Sequence, residues 1–232
     1  MAKATMWETF IDLIIRYPLD FISQLFALLP ITIGLFRFNH LTVSMKWVVL
    51  FFLAYFLKDS IAWIHSLQRE SNLYLYNLLS FPEIAIVAVI YAFSMPRQSK
   101  KIIGFTLGCL LLNFFFYSSQ AISAGNLTIA RLFIIIIILV YLNHVLNESL
   151  VRNILRHDLF WFSAGLLIYA AGTFFIFLFG KELFNFNASK AYETFDFYWN
   201  FQEIIFIICC ILSTVGIKFS ESNNRSNFAT EL

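Results

Sequence analysis

LTIARLFIIIIILVYLNHVL, residues 127–146, is a run of twenty residues in which only Arg131 carries a permanent charge. A helix rises ~1.5 Å per residue, so such a run covers the ~30 Å hydrocarbon thickness of a bilayer. In hydrocarbon each backbone amide must find its partner within the protein, which makes this run a helix. The same pattern recurs on both sides of it. Candidate spans fall at about 19–37, 47–65, 73–94, 102–121, 127–146, 159–180 and 198–217. The expected fold class is therefore all-α: a polytopic membrane protein built as one bundle of about seven transmembrane helices.

Composition leads to the same class. The 232 residues are 60% hydrophobic and 13% charged, with 29 phenylalanines, and mean hydropathy is +0.76. Water-soluble domains carry about 25% charged residues, so a soluble reading is excluded. The net charge of +2 is scattered, with no basic block to follow a phosphate backbone, which points away from nucleic acid. Cys109, Cys209 and Cys210 lie in apolar runs without CxxC spacing and read as small buried hydrophobes. His40, His65, His144 and His157 are dispersed, and no metal or cofactor is expected.

Outside the spans little chain remains. Residues 1–18 lack the apolar core and cleavage site of a signal peptide and are expected to be retained. Trp7, Phe10, Ile11, Ile14 and Ile15 recur near helical spacing among Lys3, Glu8, Asp12 and Arg16, the pattern of an interfacial amphipathic helix or of a polar lead-in. The longest connection is KELFNFNASKAYETFD, and the polar tail 219–232 is expected to be disordered and cytoplasmic. Arg37, Lys46, Arg97, Lys100, Lys101, Arg152, Arg156, Lys218 and Arg225 fall on one side, against Lys3, Arg16, Arg69, Lys181 and Lys190 on the other. The positive-inside rule then gives an outside N-terminus and an inside C-terminus. Trp47, Trp161 and Trp199 near span ends suit interfacial belts, and Pro30 and Pro82 interrupt the first and third spans.

Ionisable residues at bilayer depth cost about 2.5–3.5 kcal/mol each on insertion scales unless paired or hydrated, so they point to sites. Glu83 falls near the midplane, and Lys58, Asp59, Arg131 and Glu203 in the outer half. They read either as structural ion pairs or as a network around an outward-facing pocket, with Gln120 and Gln202 as neutral donors and acceptors. Neighbours such as Lys58 and Asp59 leave a helix in different directions, which favours the structural alternative. At the inner end Asn143, His144, Asn147, Glu148, Arg152, Arg156, His157 and Asp158 form either a solvated face or a docking surface. There is no HExxH, GxSxG or Gly-rich phosphate loop, and the last span has no mid-membrane lysine for a retinal Schiff base.

The stretch FWFSAGLLIYAAGTFFIF, residues 160–177, resembles a family of poorly characterised bacterial seven-helix proteins commonly encoded beside sensor histidine kinases. Phe160, Trp161, Ser163, Gly165, Tyr169 and Gly172 occupy the positions that carry the resemblance, and Glu83 and Arg131 also look like family positions. Relatives tend to carry His or Asn in the last span, where this chain has Gln202 and Glu203. The resemblance implies a multi-pass protein of the bacterial inner membrane, with the lipid bilayer and a sensor histidine kinase or other membrane signalling protein as partners; self-association stays open. Read physically, Gly165 and Gly172 lie two turns apart on one face and admit a close neighbour, with Ser163 and Tyr169 able to hydrogen-bond across that contact. Three functions remain. A sensor needs an outer pocket with a sealed floor, which the apolar run Ile134 to Val140 favours; a small transporter or channel needs a polar route to the inner face; a lipid-modifying enzyme needs a catalytic group near the headgroups.

Overall fold

The computed structural model describes residues 6–147, 154–179 and 191–230, and of these the side chains of all but 191–193 and 221–230. Lys3, Glu148, Arg152, Lys181 and Lys190, named above, lie outside the described residues, as does the side chain of Arg225. Regular structure among the described residues is entirely helical: α1 (Met6–Arg16), α2 (Pro18–Phe36), α3 (Val43–Gln68), α4 (Leu73–Ser94), α5 (Ser99–Phe115), α6 (Ala124–Asn147), α7 (Asp158–Leu178) and α8 (Ala191–Thr230), with three single-turn 3-10 segments between them. Six of these, α2, α3, α4, α6, α7 and α8, are long and apolar enough to cross a membrane. The chain thus has the character of a multi-pass helical membrane protein. Large apolar side chains cover its outside, among them Phe36 at 90% and Phe115 at 73% exposure, as suits a surface solvated by lipid.

Helix α2 packs on α3 and α8, α3 on α4, α4 on α6, α6 on α7 and α7 on α8, which closes a ring; α5 sits outside it against α4 and α6. The core inside the ring is aromatic. Phe51, Phe52 and Tyr55 of α3 meet Phe162 and Tyr169 of α7 and Phe206 of α8 at ring centroid distances of 5.1–6.4 Å. Such pairs contribute about 0.5–1.5 kcal/mol each beyond area burial.

Small residues set the tightest contact. A Cβ added at Gly165 would stand 3.1 Å from the Cα of Cys209, and one at Gly216 would stand 2.5 Å from the carbonyl oxygen of Asp158. Helices α7 and α8 therefore approach backbone to backbone at Gly165 and Gly216, the geometry that small residues permit in membranes. Gly172 faces the Ile205 side chain of α8. Ser163 and Tyr169 bond away from α8: Ser163 pairs with Tyr91 of α4 at 2.8 Å, and the Tyr169 hydroxyl accepts from Arg131 of α6 at 3.1 Å. Ser163 is offset from the glycines around the helix, whereas Tyr169 shares their face, its ring 5.6 Å from that of Phe206 of α8 while its hydroxyl reaches on to α6.

The element bounds depart from expectation in two places, at α5 and α8, and not at α3. Helix α3 runs unbroken through Lys58 and Asp59, because the lysine ammonium swings back to its neighbour's carboxylate. The expected span at 102–121 ends as a helix at Phe115, leaving Gln120 exposed in an irregular segment. There the Asn77 amide donates to the carbonyls of Ser118 at 2.6 Å and Ala121 at 2.7 Å, and its oxygen accepts from the Ser123 amide at 2.9 Å. One buried side chain thus replaces the helical ladder and turns the chain back into α6. Finally, α8 continues as helix through Thr230, across the polar stretch whose composition had suggested disorder. A helix already nucleated in the bundle extends at the cost of propagation alone.

Candidate functional site

The intramembrane charges divide into two groups. The deeper one centres on Glu83 and Arg131, each 3% exposed. Arg131 of α6 forms an ion pair with Glu83 of α4. Its Nε donates to Thr173 Oγ1 at 2.9 Å, and its Nη2 donates to the Tyr169 hydroxyl at 3.1 Å. The Tyr55 hydroxyl donates to the same Glu83 oxygen at 2.5 Å. The guanidinium also lies 4.6 Å from the Tyr169 ring centroid and 5.4 Å from that of Phe177. Four helices contribute to this layer. Each charge has a counter-charge and further hydrogen bonds, the condition under which a buried pair is tolerated.

Below this layer the core is apolar apart from hydrogen-bonded hydroxyls such as the Tyr91–Ser163 pair. Ile134, Ile137 and Ile138 of α6 are at most 2% exposed. At the far end Tyr141, His157, Asp158, Thr42 and Ser220 tie α6, α7, α3 and α8 together. Tyr141 Oη lies 3.0 Å from His157 Nδ1, Thr42 Oγ1 donates to Asp158 Oδ2 at 3.2 Å, and the Thr42 amide donates to Ser220 Oγ at 3.3 Å. His157 and Asp158, read from sequence as part of a charged connection, therefore act as a clasp on helix ends.

The second group surrounds a cavity of about 240 Å³ at the opposite end of the bundle, lined from α2, α3, α4 and α8 and by Leu13 of α1. Three carboxylates reach it: Asp20, Asp59 and Glu203. Asp59 pairs with Lys58 and Glu203 accepts from Ser23. Asp20 accepts from Trp199 Nε1 at 3.1 Å. The walls are aromatic. Tyr76 meets Trp199 edge to face at 5.0 Å, Trp199 stacks on Phe195 at 5.3 Å, and Trp63 packs on Phe21 at 6.0 Å. The Lys58 ammonium stands 4.1 Å from the Tyr76 ring centroid, a cation–π contact at close range.

Of the residues singled out from sequence, Asp59 and Glu203 thus line the cavity, with Lys58 beside it, paired to Asp59 and over the Tyr76 ring, and Glu83 and Arg131 form their own closed layer. Gln120 is exposed in the irregular segment before α6, and Gln202 is buried without lining the cavity. Sequence reasoning passed over Asp20, Ser23, Tyr76 and Trp199 at the cavity, and Tyr55 and Thr173 at the buried pair. Among the described residues no three His, Cys, Asp or Glu side chains are grouped as metal ligands would be.

Compared with protein-family models, with curated proteins and with solved structures, the chain matches none. The resemblance in residues 160–177 rests on its own residues, and function has to be argued from the site.

Proposed function

We propose that this chain is a seven-helix sensor module, with its N-terminus outside and its C-terminus inside, that binds a small stimulus molecule at the outer cavity and signals through a membrane partner at the inner end. The observation that carries the reading is the stacking of an open, polar cavity on a closed ion-pair layer. A carrier must expose its site to both faces in turn, along a polar route. Here the Glu83–Arg131 layer and the isoleucines beneath it fill the space such a route would need. The seventh span in this reading is α5, whose 17 residues meet the lower limit of about 17 for crossing a bilayer.

A physical link between the tiers supports the same reading. Tyr55 donates to Glu83 and stacks on Phe206 at 5.1 Å, while the Lys58 ammonium stands 6.0 Å from the Tyr55 ring. Glu203 precedes Phe206 by about one turn of α8. A ligand that moves Lys58 or Glu203 therefore acts on side chains in contact with the buried pair. It shifts the bundle only by its difference in affinity for two arrangements.

The test is a crosslinked pull-down of the tagged protein from its native membranes. Recovery of a histidine kinase or another signalling subunit is the expected result. Recovery of a transported solute or a lipid, with no protein partner and with uptake by reconstituted vesicles, contradicts the proposal.

A further inference from the structure

We infer that the outer cavity is a site for a small organic ammonium ion, and that Lys58 is a tethered occupant of the same site which the ligand displaces. The inference rests on the sensor reading for its biological role and on the cavity's chemistry for its ligand class.

Three observations converge. The cavity is about 240 Å³, below the roughly 300–1,000 Å³ of pockets for drug-sized ligands, so its guest is small. Its carboxylates outnumber its cations. Among the described residues Asp20, Asp59 and Glu203 face it, and the one ammonium in contact with its lining is that of Lys58; Arg16, 5.5 Å from the Tyr17 ring, is exposed to solvent. Asp20 and Glu203 are held by neutral donors, the Trp199 indole and the Ser23 hydroxyl, which fix their orientation, and neither forms an ion pair of its own among the described residues. The walls are aromatic faces and edges, which bind ammonium through the ring quadrupole and by apolar contact with its substituents.

A further observation is the strongest, because an ammonium already touches two of the residues that line the cavity. Lys58 reaches Asp59 and the face of Tyr76 together, which is the combination of carboxylate and ring that a free amine would seek. The pairing of neighbours on one helix bends the side chain back on itself, so it holds the niche through its tether and not through a better fit. A bare metal cation is the poorer guest. The carboxylates are not grouped as a chelating set, and indole and phenol faces offer no strong ligand to a hydrated ion.

The probe pair is phenethylammonium and 3-phenylpropanoate, similar in size and opposite in charge, titrated by calorimetry into purified protein in nanodiscs, with sodium chloride as a control. The expected result is saturable binding of phenethylammonium alone. Lys58→Met is expected to tighten it about tenfold, and the double variant Lys58→Met/Asp59→Asn to lose that gain, while thermal melts show both variants folded. Equal binding of the two probes, or of neither, overturns the ammonium class, as does weaker binding in Lys58→Met. Binding of 3-phenylpropanoate that Lys58→Met abolishes assigns the site to carboxylates; the sensor reading then still stands, because it fails separately, on the absence of a signalling partner in the pull-down.

Discussion

The buried pair and the outer cavity use the same residue types to opposite ends. Around Glu83 and Arg131 each charge meets an opposite charge, a hydroxyl and an aromatic ring, and each is 3% exposed. Around the cavity Asp20, Asp59 and Glu203 share one ammonium, and the space between them is empty protein volume of about 240 Å³. Satisfied charges hold helices in place; charges left in surplus beside a void can do so only incompletely, and they attract something else. Ionisable residues in a membrane protein are therefore informative through their balance and not through their presence alone.

That contrast breaks most visibly on removing half of the buried pair. Glu83→Gln leaves the Arg131 guanidinium buried without its counter-charge, and is expected to cost about 3–5 kcal/mol of stability. Glu83→Gln combined with Arg131→Met removes both charges and is expected to cost clearly less than the two singles summed. Reversible unfolding in mixed micelles measures the difference; additive losses would mean that the pair is not the structural unit described here.

A second prediction concerns how the closed layer is held. Gly165→Val places a branched side chain against the Cα of Cys209, only 3.1 Å from the added Cβ. Overpacking of this kind typically costs about 1–3 kcal/mol. It moves α7, which carries Tyr169 and Thr173, so the loss is expected to exceed that of Gly104→Val, where nothing lies within 4 Å of the added Cβ. Equal losses in parallel melts would detach the layer from the α7–α8 contact.

At the cavity the order of effects reverses. Asp20→Asn and Glu203→Gln are expected to change stability by no more than about 1 kcal/mol, since each amide can keep the neutral hydrogen-bond partner and no ion pair of its own is lost, but to weaken phenethylammonium binding by about tenfold. A large loss of stability without a change in binding would make these carboxylates structural. Smallest of all, Gln120→Ala, on an exposed side chain before α6, is expected to stay within about 0.5 kcal/mol of the parent and to bind the probe unchanged.

The parts of this picture that were legible in sequence are those with a strong local signature. Glu83 and Arg131 stand out because each interrupts an apolar run at bilayer depth, and the six long spans follow from run length alone. What sequence could not supply was direction around each helix. The five charges fall at similar heights, so a single network was a natural expectation, and only packing separates the Tyr55 and Thr173 side from the Asp20 and Ser23 side. Asp20 escaped notice because it follows Pro18 at a span entry, where an acidic residue favours the helix N-terminus. A signal was present: Asp20, Ser23 and Gln24 make a polar stripe at i, i+3 and i+4 on an otherwise apolar helix. Tyr169 and Thr173, four residues apart on α7, mark the partners of Arg131 in the same manner. Helix α5 was overrun by the six residues 116–121, because that segment is apolar and aromatic at its start; the turn depends on Asn77, some forty residues earlier.

The central claim is that one end of the bundle is open and the layer beneath it closed. Paired cysteine labelling in intact cells and in inside-out membrane vesicles tests it most directly, with Ser66→Cys on the cavity wall and Ala130→Cys, 0% exposed beside Arg131, each challenged with a membrane-impermeant maleimide. The account predicts rapid labelling of Ser66→Cys from outside and none of Ala130→Cys from either face. Labelling of Ala130→Cys from both faces would reveal a continuous aqueous route and make the protein a carrier.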